Sequence, residues 1–355
     1  MEEFTKNIRA ATHITAYRMA FLVALLFVPA ASSGEENGEN ADDSKSFFAI
    51  PYIFYTTDTG LGYGAGGMVG YRSLDARPSA LVFALTHTTK HQFQSVVKWA
   101  HNFTGGRRRL TGEIQYTKFP QAFYGLGNDT SGENPVTYTP EYTQVELALE
   151  RSLYRDLKLM SLVQFRNQAL VDRGDSGAFL AGGVPWATGR MDGSLGFGVL
   201  WDSRDNVTAT LRGSLFKIEY FGSLIRNEGG AFSMVKCEAK IFQTPLPDCT
   251  LGSMFQFLDA RGDVPFYLLP VLGGVVRLRG YEMARFIGRN VLLVQEDFRF
   301  PIVWRIGGCV FAAAGRVADE RRDLLSGGFH VGSGAGFRYF INRKDGMVAH
   351  LDMAF

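Results

Sequence analysis

The 355-residue chain is 46% hydrophobic and 20% charged, the composition of a folded protein with room for one large or two ordinary domains, and not that of a disordered chain. Its 37 basic and 35 acidic residues leave a net charge of +2, too weak a field to gather nucleic acid. Glycine (41) and phenylalanine (29) are abundant and proline (12) is not, which excludes collagen, coiled coil and low-complexity protein and fits many strands joined by turns and faced with aromatics.

In chain order, the first predicted element is a targeting segment. Lys6, Arg9 and Arg18 precede an apolar run, Met19 to Val28, followed by Pro29, Ala30, Ala31 and Ser32. Basic, apolar and small-residue regions in that order define a secretory signal peptide over 1–31, with an uncleaved anchor as the alternative. The run is short of the about 20 apolar residues a membrane helix needs. Residues 32–46, acidic and polar, are expected to form a flexible leader, and 47–355 a single barrel domain.

Beyond the leader, hydrophobicity alternates in segments of roughly ten residues, the pattern of strands with lipid on one face and water on the other. Val145, Leu147 and Leu149 oppose Glu146, Ala148 and Glu150; Val235, Cys237, Ala239 and Ile241 oppose Lys236, Glu238 and Lys240; Phe93, Val97 and Trp99 oppose Gln92, Gln94 and Lys98. Candidate strands fall near 47–57, 60–72, 79–88, 91–103, 108–119, 141–153, 157–171, 190–201, 209–222, 231–242, 249–259, 290–302, 304–316, 327–341 and 346–355. Alternate connections are short (SLDARPS, TGGRR, RSLYRD, WDSRDN, QTPLPD, INRKDG), whereas the other set contains Pro120–Pro140, Val171–Gly189, Asp259–Gly288 and Arg316–Gly327. Short turns at one end and long loops at the other are the outer-membrane pattern, so the expected fold is all-β: a transmembrane antiparallel barrel of about 16 strands, fifteen of them counted.

The longest loop contains LGGVVRLRGY, Leu272 to Tyr281. With FYGLGNDT (Phe123–Thr130), WDSRDN (Trp201–Asn206), DFRFP (Asp297–Pro301), FAAAGRV (Phe311–Val317) and GAGFRYFIN (Gly334–Asn342), it resembles the BamA/TamA-type bacterial surface antigen superfamily over most of the chain. That resemblance implies a bacterial outer-membrane barrel whose long extracellular loop folds inward, with Arg279, Gly280 and Tyr281 at its tip. It also implies lumenal carboxylates on the next two strands: Asp297 on the first, with Glu296 beside it on the opposite parity. At the second position the family's usual Asp is replaced by Ala313, which leaves Asp297 as the expected sole acceptor. A desolvated Arg needs such a carboxylate, and its fork can bind one bidentately.

The chain departs from the family in two further respects. Only about a dozen polar residues separate the signal from the first strand, far short of a folded domain, so no POTRA module is expected. The count of fifteen strands is one fewer than family members usually have, and Ala349, Leu351, Met353 and Phe355 alternate toward a terminal Phe. GDSG at 174–177 has no His or Asp partner at a recognisable position and reads as loop. The three cysteines, Cys237, Cys249 and Cys309, lack metal spacing and are expected as free thiols, with a Cys237–Cys249 bridge as the alternative.

No cofactor and no enzymatic activity are expected. The expected function is to assist insertion or translocation of proteins or lipids at the outer membrane. A weak seam between first and last strands would serve it, made plausible by the glycines from Gly60 to Gly70. Membrane lipids and unfolded outer-membrane proteins are the expected partners, and homodimerisation through a lipid-facing seam is open. The alternative is a passive pore or structural barrel, its lumen set by Lys98, Lys236, Lys240, Glu146, Glu150 and Glu238.

Overall fold

The computed structural model describes residues 46–56, 59–71, 79–172, 184–207, 209–342 and 347–355; the expected signal segment, all but the last residue of the leader, and the GDSG string lie outside them. Eighteen strands form: β1 (Ser46–Thr56), β2 (Gly60–Tyr71), β3 (Ser79–Thr88), β4 (Phe93–Asn102), β5 (Arg108–Lys118), β6 (Gln121–Phe123), β7 (Val136–Tyr154), β8 (Leu157–Asp172), β9 (Met191–Asp202), β10 (Gly213–Arg226), β11 (Phe232–Gln243), β12 (Thr250–Gly262), β13 (Val271–Leu272), β14 (Phe286–Ile287), β15 (Asn290–Val303), β16 (Ile306–Ala318), β17 (His330–Asn342) and β18 (Met347–Ala354). All but β6, β13 and β14 form one antiparallel meander in chain order, and β6, paired to β7, makes the sheet sixteen-stranded. Strands β13 and β14 pair with each other inside the longest loop.

The fifteen expected strands correspond to the fifteen of the meander. The largest departures are at β7, which starts at Val136 instead of 141, and β10, which starts at Gly213 instead of 209 and runs on to Arg226. Pro140 lies inside β7 because a register shift between Thr139 and Pro140 marks a bulge, where a missing backbone donor is tolerated.

Alternation sorts the side chains. Phe197, Ile218, Phe337 and Leu351 stand exposed on the outer face. On the inner face, Lys98 pairs with Glu113 (2.9 Å), Lys158 with Glu150 (3.0 Å) and Lys240 with Glu238 (3.2 Å), while Gln144 and Gln164 donate to Glu146. The inner wall is not uniformly polar. Met160, Leu162, Leu200, Leu215 and Phe221 are buried together on it, and the Phe221 ring carries the Lys236 ammonium at 4.6 Å. All three cysteines are free.

The glycines of β2 are not bare. The rings of Tyr52 and Phe54 from β1 lie where Cβ atoms on Gly64 and Gly62 would be, and the Tyr52 hydroxyl bonds to Thr86 at 2.6 Å. Among the described residues no ladder joins β1 to β18, so each has one paired edge.

Candidate functional site: a loop held against the inner wall

The loop between β12 and β15, residues 263–289, turns inward because its apolar residues have a surface to cover there. Leu272 and Leu278 are fully buried with Val291 and Leu293 of β15, Ala313 and Val317 of β16, Leu258 of β12 and Phe286 of the loop itself. Ala313, where the resemblance would place an Asp, is part of this apolar wall. Val264, Phe266 and Leu269 form a second cluster with Phe123, Tyr138, Phe232 and Ala260, so loop residues bridge strands from β6 to β12.

Within this frame Arg279 is aimed at two carboxylates. Its Nη2 donates to Asp297 Oδ1 of β15, and its Nη1 to Asp352 Oδ2 of β18 at 3.0 Å. The guanidinium also lies 3.5 Å above the centroid of the Phe311 ring. Asp352 is a correction to the expected sole acceptor. Strand β17 carries Gly332, Gly334 and Gly336 on its inner face, where Cβ atoms would strike the Arg279 carbonyl, the Phe311 ring and the Asp352 carboxylate respectively. The arginine can therefore reach past β17 to β18 only because that face bears no side chain at positions 332, 334 and 336. Arg338 of β17 binds Asp352 as well, and Arg299 approaches Asp297 at 3.7 Å, giving three guanidinium groups around two carboxylates.

Glu296 is not in this cluster. It is exposed on the outer face and accepts the Ser253 hydroxyl at 2.7 Å. Gly280 has φ +102°, and a Cβ there would stand 2.8 Å from the Phe355 carbonyl oxygen, so both conformation and space demand glycine. Tyr281 donates its hydroxyl to the Val331 carbonyl (3.2 Å), with its ring 5.5 Å from Phe286 and 5.9 Å from His330.

Further arginines fasten the rest of the loop. Arg277 donates to Gln256 (2.9 Å), which donates in turn to Glu238 (2.6 Å). Arg285 donates to Thr130 through its hydroxyl (2.7 Å) and carbonyl (2.6 Å), joining the loop to the one between β6 and β7. Asn128 of that loop accepts from the Val317 amide at 3.2 Å. At the start of the long loop, Asp263 accepts from Trp186 Nε1 (2.9 Å) and the Gly230 amide (2.7 Å), and Arg190 stands beside it. Burial pushes the Asp263 carboxyl up, but these hydrogen bonds and the Arg190 charge outweigh it and hold the group below its ordinary value. None of these anchors was identified from sequence; Asp352 shares its parity on β18 with Val348, His350 and Ala354, and that pattern alone does not mark it as a partner of Arg279.

The architecture defines a class of fold: a large antiparallel meander with short turns at one end and a long loop packed inside. No family model and no curated protein matches the sequence. Among solved structures, BamA from Haemophilus ducreyi lacking POTRA domains 1–3 is similar with a TM-score of 0.55 and 12% identity, over 99% of this chain and 78% of that one. CdiB from Acinetobacter baumannii is similar with a TM-score of 0.53 and 14% identity, over 84% of this chain and 54% of that one, so the match spans about half of CdiB. The chain has the BamA-type barrel fold that the sequence resemblance implies.

Proposed function

We infer that the chain is a bacterial outer-membrane barrel of the BamA/TamA kind that assists insertion or translocation of proteins or lipids. The single observation that carries this reading is the lock itself: Arg279 ties the inward loop to β15 and β18 at once, so the loop's position is coupled to an edge strand of the sheet. An edge strand in lipid leaves backbone donors and acceptors without water, and pairing with an incoming strand satisfies them. Support for a seam lies in the edges of β1 and β18 that are unpaired among the described residues, and not in the β2 glycines, which receive aromatic rings. The packed loop weighs against an open pore, since Leu272 and Leu278 cover part of the inner wall.

The test is the folding rate of a second barrel protein added to liposomes with and without this protein in them. Acceleration that is lost on Arg279→Ala supports assisted insertion. No acceleration by a correctly folded sample, combined with a steady ion conductance, establishes the pore instead.

A further inference from the structure

The end of the sheet opposite the inward loop carries a group of arginines that the lock does not use. Arg107, Arg108, Arg151 and Arg155 are exposed on or beside the β4–β5 and β7–β8 turns, and among the described residues none is in an ion pair. The one carboxylate within these turns, Asp156, pairs with none of them. Arg108 and Arg151 are direct cross-strand partners on β5 and β7. Like charges directly opposite one another destabilise a sheet, so this pair works against folding unless an anion lies between them.

The face they occupy says which anion. Arg108 shares its parity with Leu110 and Ile114, and Arg151 with Leu149 and Leu153, the residues of the outer, apolar face. Arg108 also lies over the Phe103 ring and Arg155 over the Tyr154 ring, 5.4 and 5.3 Å from the centroids. A soluble acidic protein would approach from beyond the turns. A charge bound between Arg108 and Arg151 must instead lie alongside exposed leucines, as a lipid phosphate above its acyl chains does. We propose that Arg108 and Arg151 form a binding site for the phosphodiester headgroup of an anionic phospholipid in the leaflet at the short-turn end, flanked by Arg107 and Arg155. Guanidinium forks bind phosphate oxygens in pairs, and the bound phosphate cancels the cross-strand repulsion. The site rests on the membrane-barrel reading, and its test separates the two.

The full chain is folded in a neutral detergent, its insertion checked by protease protection in phosphatidylcholine vesicles, and phosphatidylglycerol or phosphatidylcholine retained on it is measured by native mass spectrometry. The expected result is selective retention of phosphatidylglycerol, weakened about tenfold or more in Arg108→Gln/Arg151→Gln. Without lipid, the double variant is expected to unfold at the same temperature as the parent or higher, because repulsion is relieved; should it not fold, Arg151→Gln alone serves. Equal retention of both lipids, or unchanged retention in the variant, overturns the site while leaving the barrel intact. Displacement by inorganic phosphate at matched concentration assigns the arginines to a soluble ion and overturns the lipid. Failure to insert at all refutes the membrane reading itself.

Discussion

Replacing Arg279 by Ala removes two charged hydrogen bonds and a cation–π contact from a side chain that is only 10% exposed. Breaking a buried ion pair from one side costs roughly 3–5 kcal/mol, much of it from the charge left behind. Here neither carboxylate is abandoned, since Asp297 keeps Arg299 at 3.7 Å and Asp352 keeps Arg338. The cost therefore falls at the lower end, about 3 kcal/mol, which is roughly a hundredfold in the docking equilibrium of the loop. Trypsin cleavage after Arg277, followed by mass spectrometry in the folded protein, reads that equilibrium because the bond is cut only when the loop leaves the wall. The variant is expected to be cut about a hundredfold faster, with the strands still protected. In double-mutant cycles, Arg279 with Asp297 and with Asp352 should each show coupling of about 1 kcal/mol or more. Unchanged cleavage, or coupling below about 0.5 kcal/mol with both aspartates, would refute the lock.

Glu296→Gln should leave loop cleavage unchanged and raise stability in bilayers by up to about 1–2 kcal/mol, because an outward charge is removed while a Ser253 partner is retained; faster cleavage would show that Glu296 belongs to the lock after all. Gly280→Ala should destabilise the docked loop by about 1–3 kcal/mol through its φ of +102° and the approach of Phe355, seen as a lower unfolding temperature and faster cleavage. Asp263 has its folded-state affinity for a proton lowered, so its contribution is present above the usual carboxylate range and is lost as the pH falls through the lowered folded value. Loop proteolysis with an acid-active protease should rise over that interval in the parent, and the added pH dependence should vanish in Asp263→Asn.

Much of this protein is determined by the sequence itself. Alternation of period two, read against a short-long rhythm of connections, identifies every strand of the meander, because a sheet between lipid and water imposes that pattern locally on each strand. The Arg279–Asp297 pair was also legible, as the buried charge and the acceptor the resemblance implies. Asp352 was not, because whether β18 comes within reach of a loop 73 residues earlier depends on the curl of the sheet and on the cleared inner face of β17. The fate of Ala313 was likewise decided by tertiary structure, which packs it under Leu272 and Leu278, whereas the parity of Glu296 was legible and only its partner, Ser253, came from the strand register. The short strands β6, β13 and β14 carry too few residues for any period to show, and they exist only because the start of β7 pairs with β6 and the folded long loop brings β13 and β14 together. Local chemistry sets which face a residue takes; only the closing of distant strands around the loop sets what that face meets.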